Sequence, residues 1–282
     1  MNVLVTGSLG RIGRYVVTDL ANAGHIVCGI DLQPSTDKTS PYLGVDLTDA
    51  GQVYQAIAWA EPDAVVHMAA WPDAGKVPDT RTYGDNVRGT HNLFKACADM
   101  GVKRVVSAST NQIYGFAGAP PVYAPVDEEH PLRPINSYAL SKIAGESAAD
   151  FFVKNHDMTI LSFRLMGVRM PDVLPDEIEA MQADPARGAG LLWTRTDARD
   201  AAMACRLAIE AEMVASGPYN ITGAQVVLRE TTAELVERYF GDSTDVRTPL
   251  AGHISPLSCE KARQAFGYEP NYVWRWNQKH AE

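Results

Sequence analysis

Nowhere in the 282 residues is there an apolar run near the roughly 20 residues that a membrane-spanning helix needs, which argues against a membrane partner. Cysteine is scarce. Cys28, Cys97, Cys205 and Cys259 stand far apart with no CxxC pair, so neither a metal site nor a disulfide framework is expected. That usage suits a reducing compartment, and the cytoplasm is the expected location. Excess positive charge is missing too: 25 Lys+Arg against 34 Asp+Glu leave a formal −9. A phosphate backbone repels such a protein, which excludes nucleic acid as the main partner. Like-charged tails, internal repeats and low-complexity segments are also absent. Residues 1–7 lack the basic start and long apolar core of a signal peptide, and read as a strand entering a glycine turn. What is present is ordinary for a globular chain, 46% apolar and 21% charged. The length suffices for one large α/β domain or a domain with a smaller lobe.

Along the first half, short apolar runs alternate with helical patterns. Strands are predicted at 2–6, 25–31, 42–45, 63–68, 103–108 and 158–163, and helices at 11–23, 50–59, 82–100 and 136–155. Such βαβ alternation implies a Rossmann-type, doubly wound parallel sheet, because parallel strands need crossover connections. After Arg164 the rhythm breaks into helical pieces at 176–183, 199–211, 230–240 and 258–266, with one strand at 217–221. We read 1–164 as the dinucleotide-binding domain and 165–282 as a smaller substrate lobe, interleaved with the first. The cleft is expected at the carboxyl ends of the strands.

The segment Thr6-Gly7-Ser8-Leu9-Gly10-Arg11-Ile12-Gly13 leaves a strand and opens a helix. Gly7 permits the tight turn, Gly10 lets backbone approach a pyrophosphate, and Gly13 allows close helix–strand packing. Three glycines alone also fit a plain βα turn. Asp31, eighteen residues past Gly13, adds a carboxylate where an adenosine ribose diol would lie and a 2′-phosphate would be repelled. NAD is therefore favoured over NADP, with Arg11 and Lys38 as partial counterweights. Asp46-Leu47 fits either an adenine edge or a simple helix cap. His67, before Met68-Ala69-Ala70, reads as a packed histidine and is assigned no chemistry.

Tyr138 and Lys142 stand at i and i+4, on one helix face. A cation beside a phenol favours the phenolate and brings it toward a useful general base at neutral pH. By itself the pair also fits an ordinary surface helix; the dinucleotide turn in the same half decides for the functional reading.

Taken in order, the motifs resemble the extended short-chain dehydrogenase/reductases, the NAD-dependent epimerase/dehydratase family, over nearly the whole chain. They are TGxxGxxG (Thr6, Gly7, Gly10, Gly13), HxAA (His67, Ala69, Ala70) and NxxGT (Asn86, Gly89, Thr90). STxxxYG (Ser109, Thr110, Tyr114, Gly115), YxxxK (Tyr138, Lys142), Arg164 and the late Lys261…Pro270 segment follow. The resemblance implies that Tyr138 is the acid/base and that Lys142 tunes it while holding the nicotinamide ribose. Thr110 would bond the reacting oxygen, and Asn86 would support the active-site helix. It implies cofactor contacts at Gly7, Leu9, Gly10, Arg11, Ile12, Gly13, Asp31, Asp46, Leu47, Met68, Ala69, Ala70, Ala108 and Leu165, besides Tyr138 and Lys142. Substrate contacts are implied at Trp71, Thr110, Asn111, Gln112, Arg164 and Arg195. It also implies a homodimer in which the helices near Asn86 and Tyr138 pair across a two-fold axis.

Departures from the family pattern narrow the reaction. Dehydratases of this family carry Asp-Glu after the threonine, whereas this chain has the neutral Asn111-Gln112, which cannot trade protons. The asparagine usual three residues after the strand-ending arginine is Gly167, and the arginine usual before the next helix is Trp193, which suits core packing better than sugar stacking. Both changes argue for a small substrate. The Ser-Thr-Asn-Gln run is similar to that of uronate and aldose dehydrogenases. Arg169, Arg195 and Arg199 border the expected cleft, and one of them, Arg195 foremost, would meet a carboxylate or phosphate unless each pairs with a local acid. The leading expectation is an NAD-dependent dehydrogenase of a small sugar or sugar acid. The alternatives are a sugar or nucleotide-sugar epimerase with permanently bound NAD, and a non-catalytic nucleotide sensor, disfavoured because both Tyr138 and Lys142 are kept.

Overall fold

In the computed structural model, residues 1–35, 40–72 and 75–275 are described. The chain opens with β1 (Asn2–Thr6), α1 (Gly13–Asn22), β2 (Ile26–Asp31), β3 (Tyr42–Gly44), α2 (Ala50–Ala60) and β4 (Ala64–His67). It continues through α3 (Asp79–Asp99), β5 (Arg104–Thr110), β6 (Tyr123–Ala124), α4 (Ser137–Asn155), β7 (Thr159–Leu165) and β8 (Val168–Arg169). Then come α5 (Leu174–Ala183), β9 (Thr196–Asp197), α6 (Ala198–Glu210), β10 (Gly217–Ile221), α7 (Thr232–Tyr239), β11 (Asp245–Val246) and α8 (Glu260–Phe266).

Seven parallel strands form the main sheet in the order β10-β7-β5-β4-β1-β2-β3. Side chains alternate across it. Val3 and Val5 join one core while Leu4 joins the other; Val66 and Val106 face the first, Val65 and Val105 the second. Helices cover both faces, which is why these strands read as continuous apolar runs rather than alternating ones. The first core takes residues of α1, α6 and α8, and the second those of α2, α3 and α4.

The chain leaves β1 toward β2 on one side, whereas β4 pairs on the other. That is the topological switch point where open α/β sheets bind ligands. In register there, Thr6 pairs with His67 and His67 with Ser107, so β1 and β4 end level while β5 runs three residues further, to Thr110. Residues after Leu165 serve two regions. β10 extends the sheet beside β7, and α6 and α8 pack on its face. The remainder, with the two-stranded pairs β6–β11 and β8–β9, builds a separate core around Trp193, Val226, Leu228 and Leu235.

Candidate active site

The glycine turn is built by contact. Gly7 has φ +65°, and a Cβ there would lie 2.7 Å from the backbone nitrogen of Ala69. A Cβ on Gly13 would stand 2.0 Å from the carbonyl oxygen of Gly7. The turn therefore presses on both the α1 start and the β4 exit, and only glycine fits. Gly10 closes it by donating its N–H to the Gly7 carbonyl at 2.9 Å. Asp31, at the end of β2, fixes the tip: its Oδ2 accepts the Leu9 N–H at 3.1 Å. A cavity of about 390 Å³ opens on this cradle. Its lining includes the three glycines, Arg11, Ile12, Asp31, Asp46, Leu47, Met68, Ala69, Ala70, Trp71 and Asn86. Lys38 lies outside the described residues.

His67 sits at the floor, 1% exposed, with Nδ1 2.7 Å from Thr6 Oγ1 and Nε2 3.1 Å from Thr90 Oγ1. Burial first, and then the Lys142 ammonium, push its pKa down to about 3. It stays neutral at physiological pH and ties β1, β4 and α3 together.

Asn86 joins the cradle to α4. Its Oδ1 accepts the Trp71 N–H at 2.8 Å, and its Nδ2 donates to the Trp71 carbonyl at 3.2 Å and to Ser141 Oγ at 3.1 Å. Ser141 is the residue before Lys142. The Trp71 indole donates to Asp85 Oδ2 at 2.9 Å, and the Arg81 guanidinium stacks over its ring.

Tyr138 and Lys142 are both buried on α4, 8% and 7% exposed. The Lys142 Nζ lies 5.7 Å from the Tyr138 ring centroid and donates to the Ala108 carbonyl at 2.7 Å. Burial pulls the lysine pKa down to about 8, with the Glu146 carboxylate opposing the fall. The helix start is fixed by Asn136, whose Oδ1 caps the Ala139 N–H at 2.8 Å. Its Nδ2 donates to Gln112 Oε1 at 3.1 Å, and the Gln112 N–H reaches Thr110 Oγ1 at 3.3 Å. Thr110, Gln112 and Asn136 thus form a chain from the end of β5 to the first turn of α4.

Residues 3–222 match the family described as "NAD dependent epimerase/dehydratase family". The chain belongs to that family. Among relatives of this epimerase/dehydratase-family protein, an L-arabinose 1-dehydrogenase (NAD(P)(+)) of Haloferax volcanii is 30% identical over 220 residues. That match spans 75% of this chain and 83% of the relative. A UDP-glucose 4-epimerase of Mycolicibacterium smegmatis is 26% identical, spanning 96% and 94%. Of solved structures, a short-chain dehydrogenase/reductase superfamily protein from Agrobacterium tumefaciens with bound NAD superposes at a TM-score of 0.74. It shares 26% identity, over 96% of this chain and 93% of that one.

Within this family member, two arginines expected at the substrate are engaged elsewhere. Arg164, 4% exposed, donates from Nε and Nη2 to the two oxygens of Glu146 at 3.0 and 2.8 Å, and from Nη1 to Tyr114 Oη and the Glu128 carbonyl. Arg195 is buried and donates to Glu177 Oε1 at 2.7 Å, and Arg169 holds the same carboxylate. Each guanidinium already has a carboxylate partner in a buried setting, and breaking such a pair is costly, so neither stands free for a substrate. Arg199 pairs with Asp197 and stacks on Tyr272. Trp193 is fully buried against Tyr239 and Phe240, with its indole N–H on the Pro185 carbonyl. Of the remaining expected contacts, Leu165 packs in the main core and Asn111 is buried at the end of β5. Glu146 and Ser141 escaped the sequence reading, although Glu146 repeats the four-residue spacing of Tyr138 and Lys142.

Proposed function

We propose that this chain is an NAD-dependent oxidoreductase that moves a hydride between NAD and a hydroxyl carbon of a small sugar or sugar acid, with Tyr138 as acid/base. The observation that carries this reading is the buried Tyr138–Lys142 pair on α4, tied through Ser141 and Asn86 to the glycine cradle. The cradle fits a dinucleotide: glycines that tolerate no Cβ, a helix start behind them for a pyrophosphate, and a carboxylate at the end of β2 for a ribose diol. NAD, when bound, supplies the redox half of the reaction by taking up or returning the hydride. The chain's own work is to orient substrate and manage its proton. As a phenolate, favoured by the Lys142 ammonium beside it, Tyr138 takes the proton from the substrate hydroxyl as hydride leaves the carbon, and becomes a neutral phenol. In this reading Thr110, Asn111 and Gln112, at and just after the end of β5, serve as neutral hydrogen-bonding groups. Neutral amides do not supply the extra acid and base of a dehydration.

A small substrate is supported by the paired state of Arg169, Arg195 and Arg199 and by the burial of Trp193, which leave these positions without a cation for a nucleotide diphosphate. The similarity to the L-arabinose 1-dehydrogenase points the same way. A second reading is an epimerase that oxidises and re-reduces one carbon with NAD retained. It is favoured by the near full-length similarity to the Mycolicibacterium smegmatis epimerase. The two differ in a simple observable: a dehydrogenase exchanges free NAD and accumulates NADH, whereas an epimerase keeps NAD through purification.

Asp31 sets cofactor choice in this scheme. Asp31→Ala is expected to weaken NAD and improve NADP relative to it, measured as the ratio of kcat/KM for the two. An unchanged ratio would place Asp31 away from the ribose.

A homodimer and a cytoplasmic location complete the reading. Tyr83 on α3 and Leu140 and Phe151 on α4 are exposed apolar side chains on two helices packed together, a surface suited to a two-fold partner. Light scattering is expected to give the mass of two chains; the mass of one would contradict it. All four cysteines are free, in keeping with a reducing compartment, and among the described residues no helix is long and apolar enough to cross a membrane.

A further inference from the structure

Three consecutive residues at the end of β5 each hold a different part of the α4 machinery. The Ala108 carbonyl accepts Lys142 Nζ, Ser109 Oγ donates to Glu146 Oε1 at 2.6 Å, and Thr110 opens the chain that caps the helix. Tyr138, Lys142 and Glu146 follow one another at four-residue intervals, so the carboxylate lies one turn beyond the ammonium on the same face. From β7, Arg164 grips both oxygens of that carboxylate and is itself fixed by Tyr114 and the Glu128 carbonyl. The Glu146 side chain is only 14% exposed and the Arg164 side chain 5%. A carboxylate this far from water needs a cation: Arg164 is paired with it, and Lys142 stands one helical turn away.

We propose that Glu146 is the counter-charge that keeps Lys142 an ammonium beside Tyr138, and that Arg164 is a positioning residue that fixes this carboxylate rather than a substrate contact. The inference rests on the reading of Tyr138 and Lys142 as the proton-handling pair, but its test does not need turnover. The charged and titratable groups that act on Lys142 are Tyr138 and Glu146 from its own helix and His67 from β4, and Arg164 from β7 acts through Glu146. His67 is neutral at physiological pH, and Glu146 is the anion that opposes the loss of the lysine's proton. Without it, burial acts on Lys142 unopposed and the ammonium is lost at lower pH. A pure clamp between α4 and β7 would behave differently, since breaking it from either side would have the same effect.

The deciding experiment follows the titration of Lys142 in the ligand-free protein by the 13C chemical shift of labelled lysine, assigned with Lys142→Arg. In Glu146→Gln the midpoint is expected to fall by about one pH unit or more relative to the unsubstituted protein, as for loss of a close opposite charge. The double variant Glu146→Gln/Arg164→Gln, in which two neutral amides replace the ion pair, is expected to show a fall as well. It serves as the reading should the single variant leave Arg164 stranded and fail to fold. Arg164→Gln alone keeps the carboxylate, and no fall is expected. An unchanged midpoint when Glu146 is neutralised, or an equal fall in Arg164→Gln, would overturn the proposal. Loss of turnover in the unsubstituted protein with these shifts intact would instead fault the assigned reaction. Where turnover is present, the pH–rate profile is expected to move in the same direction as the lysine midpoint.

Discussion

Tyr138→Phe is expected to retain dinucleotide binding while losing about 10²–10⁴-fold in kcat, the range for removing a positioned acid/base. The substitution deletes one oxygen from a side chain buried on α4 and leaves the ring to fill its place. Lys142 keeps its bond to the Ala108 carbonyl, and Asn86 its bond to Ser141, because neither uses the phenol. The cradle around Gly7, Gly10 and Gly13 is likewise untouched. Binding of NAD by calorimetry, set against single-turnover rates, separates the two effects. A variant that turns over within a few-fold of the unsubstituted protein would remove Tyr138 from proton transfer.

The second large effect is structural. Gly13→Ala would set a methyl group 2.0 Å from the Gly7 carbonyl oxygen and 3.0 Å from the Ser8 Cα, all backbone of a turn that cannot rotate away. Gly7 is itself held at φ +65° against the Ala69 nitrogen, so movement there propagates to the exit of β4. Overpacking of this kind is expected to cost about 3 kcal/mol or more. For a chain of this size that corresponds to a fall in Tm of roughly 6–12 °C. Dinucleotide affinity should drop with it, since the α1 start and the turn separate. Calorimetric melting with and without NAD checks both, and an unchanged Tm with unchanged affinity would show that the turn relaxes without cost.

Much of this was legible in the sequence, and the limits have physical reasons. The strand 217–221 is found at those bounds, and α4 begins one residue after the predicted start, because both carry unbroken patterns between clear breakers. The long helix α3 starts at Asp79 rather than 82, since its first residues are polar and exposed and show no apolar period. Strands β6, β8, β9 and β11 have two residues each, too few for any alternation to register. The cradle could be read because glycine spacing and a strand-ending aspartate are local signals.

Long-range pairing leaves no such local signal. Arg164 and Arg195 looked available for a substrate, yet each is bonded to a glutamate eighteen residues away in sequence. Nothing in the spacing announces which carboxylate folds beneath which guanidinium. Glu146 carries no such signal for the related reason that a helical glutamate usually faces water, and only Ser109 and Arg164 reveal that this one does not. Trp193, by contrast, packs in the core as its surroundings suggested.

The central claim is that the buried tyrosine–lysine pair and its glycine cradle serve net oxidation of a small carbohydrate. The most direct test is NADH formation from NAD by the full chain across free aldoses, uronic acids, sugar phosphates and nucleotide-sugars. NADH is expected to accumulate in step with product for a free aldose or uronic acid, with NAD exchanging freely. Silence across the free sugars and acids, with NAD still bound after purification and nucleotide-sugars interconverted, would contradict it and establish the epimerase instead.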